Sequence, residues 1–404
     1  MHKQKETNQI MLKQLKENEG ISTSLLWIIT LTTGLSVANL YYCQPLLSMI
    51  QKELEISEVL TNTIAIVSQI GYALGLFFIV PLGDMLKRRT IILTNFTIIS
   101  LSLLAIGLAP NIYTIWIASF ITGLCSVTPQ LFLPLVSQFS TPKTKGKNVG
   151  IVVSGLLTGI LSSRVFSGFI GEYLGWRSMY YIAASIMALC FVILYQAFPI
   201  VLPNFKGKYK DLMKSVVTIA KEEPKLRFAA IKSGLAFGSF LSLWAMLAFK
   251  MAQAPFYAGG TVVGLLGLCG IAGALAASFL GRYVQCIGIY RINWIGAICM
   301  ITAWVILFLL QNYYIGIILG IIILDIGMQC IQLGNQTSML TLRPSAANRV
   351  NTIFMTTYFI GGATGTTLTG FAWGLMQWNG VVLTGLSLII ISLIINTYQY
   401  RYKF

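Results

Sequence analysis

Two ionisable residues stand inside long apolar runs of this chain, Arg164 and Asp325. Charges at bilayer depth are costly, and those retained there usually serve a solute path, a proton relay or a buried pair. Asp325 heads a polar series in which Gln329, Gln332 and Gln336 follow at i+4, i+7 and i+11. That spacing marks one helical face roughly 16 Å long. Hydrocarbon would penalise such a stripe, so it must face a water-filled cavity or an interhelical hydrogen-bond seam. Arg164 lies 17 residues beyond Lys147, and Asp325 lies 18 residues before Arg343. At 1.5 Å per residue these are depths of about 26 and 27 Å. Three roles follow: a proton relay with charge pairing across a central cavity, capture of an anionic solute group by Arg164, or a structural bridge. Arg164 could instead snorkel toward Glu172. As the only acid deep in a span, Asp325 is the expected protonation site.

Other chemistry has little to work with. The single histidine, His2, sits in the terminal tail. The sequence holds no GxxxxGK[ST] phosphate loop, no HExxH and no clustered metal ligands. No nucleophile–base–acid set is evident either, so an enzyme is not expected, and neither is a resident cofactor or metal. The seven cysteines are scattered without a CxxC pair and read as packing residues.

The elements that must position these residues follow from composition. Of 404 residues, 56% are hydrophobic and 10% charged, against about 25% charged in soluble domains. That balance excludes a soluble enzyme, a disordered chain and a disulfide scaffold, and it makes lipid the solvent. A bilayer core needs roughly 20 apolar residues per helix. Spans are expected near 23–48, 59–82, 90–109, 112–137, 148–171, 178–200, 228–251, 261–281, 292–310, 314–341, 350–376 and 381–399, twelve in all.

The formal charge of +16 comes from 28 Lys and Arg against 12 acids. The basic residues cluster between the spans, which points to topology and to a lipid partner, not to nucleic acid. With the N-terminus inside, only Lys52, Arg177 and Lys250 fall on the outer side. Both termini are therefore expected in the cytoplasm. The first span, preceded by a polar tail, reads as a retained helix and not as a cleaved signal peptide.

The expected organisation is a cytoplasmic N-terminal tail (1–22), a six-helix bundle (23–200), a charged cytoplasmic linker (201–227), a second six-helix bundle (228–399) and a C-terminal tail (400–404). The linker lacks Gly/Ser bias and is expected to be partly helical. Gly75 and Gly83 recur as Gly273 and Gly281, and Gly159, Gly168 and Trp176 recur as Gly361, Gly370 and Trp378. Offsets of 198 and 202 residues, near half the length, indicate a parallel repeat about an axis normal to the membrane.

The segment Pro81-Leu82-Gly83-Asp84-Met85-Leu86-Lys87-Arg88-Arg89, between spans two and three, resembles the signature loop of the major facilitator superfamily. The span-one stretch Asn39-Leu40-Tyr41-Tyr42-Cys43-Gln44-Pro45-Leu46-Leu47 and the Gly175-Trp176-Arg177 after span five resemble bacterial twelve-span efflux permeases near the drug:proton antiporters. The resemblance covers essentially the whole chain. It implies an all-α integral membrane fold of two pseudo-symmetric six-helix bundles. It also implies a cytoplasmic gate at Gly83, Asp84, Arg88 and Arg89, whose basic members double as positive-inside anchors. Spans one, four, seven and ten would line the cavity, adding Asn39, Tyr42, Gln44, Gln130 and Trp244 to Gln329, Gln332 and Gln336, with packing the alternative for each. The second-half loop at 281–286 has no acid. Span five keeps only the Gly155/Gly159 pair of the antiporters' longer glycine motif, a pattern that also serves close helix packing.

The expected function is secondary active transport in the plasma membrane, by alternating access. The favoured form is proton-coupled efflux of a small solute, drug-like or sugar, by a monomer with the proton as coupling ion. The alternatives are an uncoupled facilitator of a small polar solute and a non-transporting solute sensor.

Overall fold

A computed structural model describes residues 18–199, 207–273, 275, 288–340, 342–343 and 346–401. Among these there is no strand. Ten helices are long and apolar enough to cross a bilayer, beginning with Thr23–Glu53 and ending with Arg349–Arg401. The last joins two spans, because Gln377 at φ 52°, ψ −136° breaks the helical path. With the shorter apolar helix Gly260–Gly273, the described residues hold twelve spans in the expected order. The chain is an all-α, multi-pass membrane protein. The first 17 residues, 200–206, the loop at 281–286 and 402–404 fall outside the described residues, and with them Lys206, Gly281, Arg282 and Lys403.

Local chemistry sets the span ends. Ser22, Ser57 and Asn111 accept hydrogen bonds from the backbone N–H groups of Leu25, Leu60 and Thr114, at 3.4, 3.2 and 3.1 Å. Each satisfies a donor that a helix start leaves open. Gly175, at φ 83°, makes the turn between spans five and six in a conformation that a side chain would strain. Two spans expected as single helices are interrupted. Span one consists of Thr23–Ala38 and Cys43–Leu54, and span four of Ile112–Cys125 and Thr128–Phe139. In span four, Pro129 sits in the first turn of the second piece and Pro134 inside it, and each removes a backbone donor.

Glycines set the closest helix crossings, and they do so in pseudo-symmetric pairs. In the first half Gly34 of span one lies against Gly155 and Gly159 of span five. In the second half Gly234 and Gly238 of span seven lie against Gly361 and Gly365 of span eleven. A methyl on Gly159 or Gly361 would fall on the backbone of the facing glycine. Membrane helices pack through such small residues because apolar area alone provides no drive between them in lipid. Gly361→Leu is accordingly expected to cost ~3 kcal/mol or more through overpacking, read as a lower melting temperature and poorer recovery in detergent.

The charged linker contains a helix, Tyr209–Glu222, that buries Leu212, Val216 and Ile219 on one face. It touches both halves: the Tyr209 hydroxyl at its start donates to the Phe78 carbonyl at 2.9 Å, and Arg349 donates to Ser215 Oγ at 3.0 Å. Arg343 pairs with Glu222 and Glu223 at 3.0 and 2.7 Å. The halves also meet through spans two and eleven. There Asn62 donates to the Thr366 carbonyl at 3.1 Å, and the Tyr72 and Phe359 rings lie 4.3 Å apart.

Candidate functional site

Arg164 is 3% exposed, in span five where that helix faces the second half. Its Nε donates to Gln44 Oε1 at 2.9 Å. The guanidinium carbon lies 4.0 Å from the centre of the Trp244 ring, on span seven, and 5.1 Å from that of Tyr41. A guanidinium over a desolvated indole gains on the order of 2 kcal/mol. Arg164 is thus held by one span of its own half and one of the other. Among the described residues no protein acceptor lies within hydrogen-bond reach of its terminal nitrogens.

Asp325 is 7% exposed in span ten, and its Oδ2 has no hydrogen-bond partner among the described residues. No ion pair within 4.0 Å joins it to Arg164. The expected pairing is therefore unformed in this conformation. Span eight runs past both groups. Gly264 and Gly267 pack on Arg164, and Gly270 and Gly273 pack on Asp325, the last with room for only 2.9 Å between an added Cβ and the Asp325 Cβ. These four glycines recur every third residue. A 3₁₀ segment, Gly267–Cys269, lies at the middle of the series, where three residues complete a turn and i, i+3 positions eclipse. This glycine series was legible in the sequence as a period of three, a signal the search for polar residues passes over.

The other candidates divide into groups. Gln44 and Trp244 join Arg164 directly. Gln332 accepts from the Tyr358 hydroxyl at 3.0 Å, Gln336 donates to Asn351 at 3.3 Å, and Asn351 donates to Gln130 at 3.4 Å. The lower part of the glutamine stripe is therefore a seam onto span eleven, while Gln329 above it is half-buried. Two residues lie elsewhere than the cavity position expected for them. Asn39 donates to the Ser36 carbonyl and to Met187 Sδ of span six, inside its own half. Tyr42 lines a groove of about 900 Å³ between spans one, five and six. At the bend between the two pieces of span one, Tyr41, not Tyr42, turns toward Arg164.

The gate residues also separate. Asp84 and Arg88 approach to 3.7 Å, and Arg88 donates to the Gly83 carbonyl and to Gln138 of span four, each at 3.2 Å. Together with Gln130 they border a cavity of about 30 Å³ whose far wall is Arg349, Asn351 and Thr352 of the second half, room for about one or two waters. Arg89 turns away, donating to the Tyr195 carbonyl and covering its ring at 5.3 Å.

The expectation that Arg164 and Asp325 are the only charges within the spans needs correction. Lys232, counted by sequence as a positive-inside residue at a helix start, is 3% exposed. Its ammonium donates to Asn396 and Gln399 of span twelve, both at 2.9 Å, and Asn396 also accepts from Asn293 of span nine at 3.3 Å. These three amides, standing in two apolar spans, were the available signal. Lys232→Met keeps the volume and removes the charged donor that Asn396 and Gln399 share. It is expected to cost about 1–3 kcal/mol, measurable as a fall in melting temperature with binding at Arg164 intact.

A pseudo-symmetric helical bundle split into two halves, with buried charges at their junction, is the architecture of a membrane carrier. The chain belongs to the Major Facilitator Superfamily, whose family model matches residues 26–366. It is 33% identical over 380 residues to the uncharacterized transporter YgaY of Escherichia coli O157:H7, covering 94% of this chain and 96% of that one. Its fold is similar to that of the nucleoside transporter NupG (TM-score 0.75, 12% identity, 93% and 100% of the two chains). It is also similar to a bacterial homologue of the human lysosomal transporter Spinster (TM-score 0.71, 15% identity, 94% and 96%). The protein is a secondary transporter of this fold.

Proposed function

We propose that the protein moves a small solute, drug-like or sugar, out of the cell through the cytoplasmic membrane in exchange for protons. In this reading both termini are cytoplasmic and Asp325 takes up and releases the proton. The observation that carries the reading is that Asp325 Oδ2 in span ten has no partner among the described residues, while Gln44 and Trp244 hold Arg164 against the same span eight on which Asp325 packs. A carboxyl so placed can complete its bonding with a proton, or with Arg164 once the halves rock. Exclusive occupation by one or the other ties protonation to conformation, which is what coupling requires. Efflux as the direction follows from the likeness of spans one and five to efflux permeases.

A second reading has its own observation. Among the described residues no protein acceptor reaches the Arg164 terminal nitrogens, so an anionic solute group could dock there while Asp325 carries the proton. Purified protein in liposomes with an imposed pH gradient separates these readings. Cationic dyes, neutral sugars and small carboxylates are supplied in turn, with an internal pH dye reporting proton flux. Gradient-driven accumulation of a dye or sugar with opposite proton flux supports exchange. Carboxylate uptake accompanied by protons supports the second reading. Equilibration of every solute, insensitive to the gradient, would leave an uncoupled facilitator.

A further inference from the structure

On the face opposite the linker, the two halves are joined by two acids, both from the first half. Glu58, in the first turn of span two, accepts a 2.5 Å hydrogen bond from the Trp373 indole of span eleven and a 3.4 Å one from Gln253 at the end of span seven. Glu172, near the end of span five, accepts a 2.8 Å bond from the Thr261 backbone N–H at the start of span eight. Its carboxylate lies where a Cβ on Gly259 would stand. Glu58 begins the helix of span two as Gly260 begins that of span eight, and Glu172, shifted by the 202 residues that relate spans five and eleven, falls on Gly374. The two contacts are therefore pseudo-symmetric copies of one contact, helix start against helix end, and each copy carries its carboxylate on the first half. Glu53, on the same face, serves its own half instead, bonding Trp176 and Arg177.

We propose that Glu58 and Glu172 are the positioning residues of the outer gate, a pair of carboxylate latches that hold the outer face shut. The site at Arg164 and Asp325 lies behind them. Hydrogen bonds to an ionised acceptor are about twice as strong as neutral ones. Here each replaces water on both groups only while the halves touch. When the outer face opens, span two must part from Trp373 and span five from Thr261, so both latches break together and favour the closed state jointly. Asp84 and Arg88 have no such role on this face, since they lie at the linker side. The inference rests on alternating access and not on proton coupling or Asp325, and its readout needs no substrate.

The test is a pair of spin-label distances in lipid nanodiscs. Labels at Lys52 and Tyr313, both exposed, span the outer face, and labels at Lys87 and Arg401 span the linker face. In the wild type the outer pair is expected to give one dominant short distance. In Glu58→Ala/Glu172→Ala a longer distance is expected to gain population on the order of tenfold, while the linker-face pair shortens or stays, which also reports an intact fold. Trp373→Phe removes a donor without touching either acid and must shift the outer pair in the same direction. An outer distribution in the double variant that matches the wild type overturns the proposal. So does a Trp373→Phe variant that leaves it unchanged.

Discussion

Liposomes carrying Asp325→Asn are expected to show no uphill solute movement when a pH gradient is imposed, down to the level of protein-free vesicles. Exchange of solute for solute across the same membrane should persist. Asparagine keeps the volume that Gly270 and Gly273 of span eight allow, so the packing of spans eight and ten survives. What is lost is the ability to exist in two protonation states. A carrier that cannot change charge at that point can still rock with solute bound, but a proton gradient no longer biases the rocking. Asp325→Glu adds a methylene against the same glycines, where overpacking costs about 1–3 kcal/mol. Its expected phenotype is coupled but slowed transport. Asp325→Asn that accumulates solute as the wild type does would remove Asp325 from the coupling role and leave it a solute-binding or structural residue.

The second large effect belongs to Arg164. Arg164→Ala is expected to abolish transport and to lower stability by about 1.5–3 kcal/mol, the range for losing a hydrogen bond from a charged group. Three interactions vanish together: the 2.9 Å bond to Gln44, the stacking on Trp244 and the backing of Gly267. Arg164→Lys separates charge from shape. It keeps the charge but loses the planar fork that reaches Gln44 while covering the indole, so most of the stability should return without most of the transport. Melting curves and solute exchange measured on both variants check this. A lysine variant that transports normally would show that charge alone suffices at this position.

Much of this architecture was legible in one chain. The twelve spans follow from the length of the apolar runs, because lipid leaves the backbone no option but helix. The repeat was visible in Gly159 and Gly361, since their crossings admit no side chain. The interruptions of spans one and four were less so. Their apolar character runs unbroken across the bends, and hydropathy does not record where a backbone turns.

The candidate site was legible in part, and the residues show where that limit falls. Burial cost singles out Arg164 and Asp325 from sequence alone, because a charge in an apolar run is conspicuous wherever the helix faces. The same reasoning missed Lys232, which lies near enough to a span end to pass for an anchor until Asn396 and Gln399 are seen to enclose it. Composition and spacing by themselves determined that the chain is a membrane bundle of paired halves with two costly charges inside, because those are properties of the chain in one dimension. Only the tertiary structure decided that Arg164 stacks on Trp244 and stays apart from Asp325, that Tyr41 and not Tyr42 faces it, and that Glu58 and Glu172 join the halves. Which way a helix is rotated, and which neighbour its side chains then meet, depends on contacts between residues eighty or more apart. No local pattern carries that information.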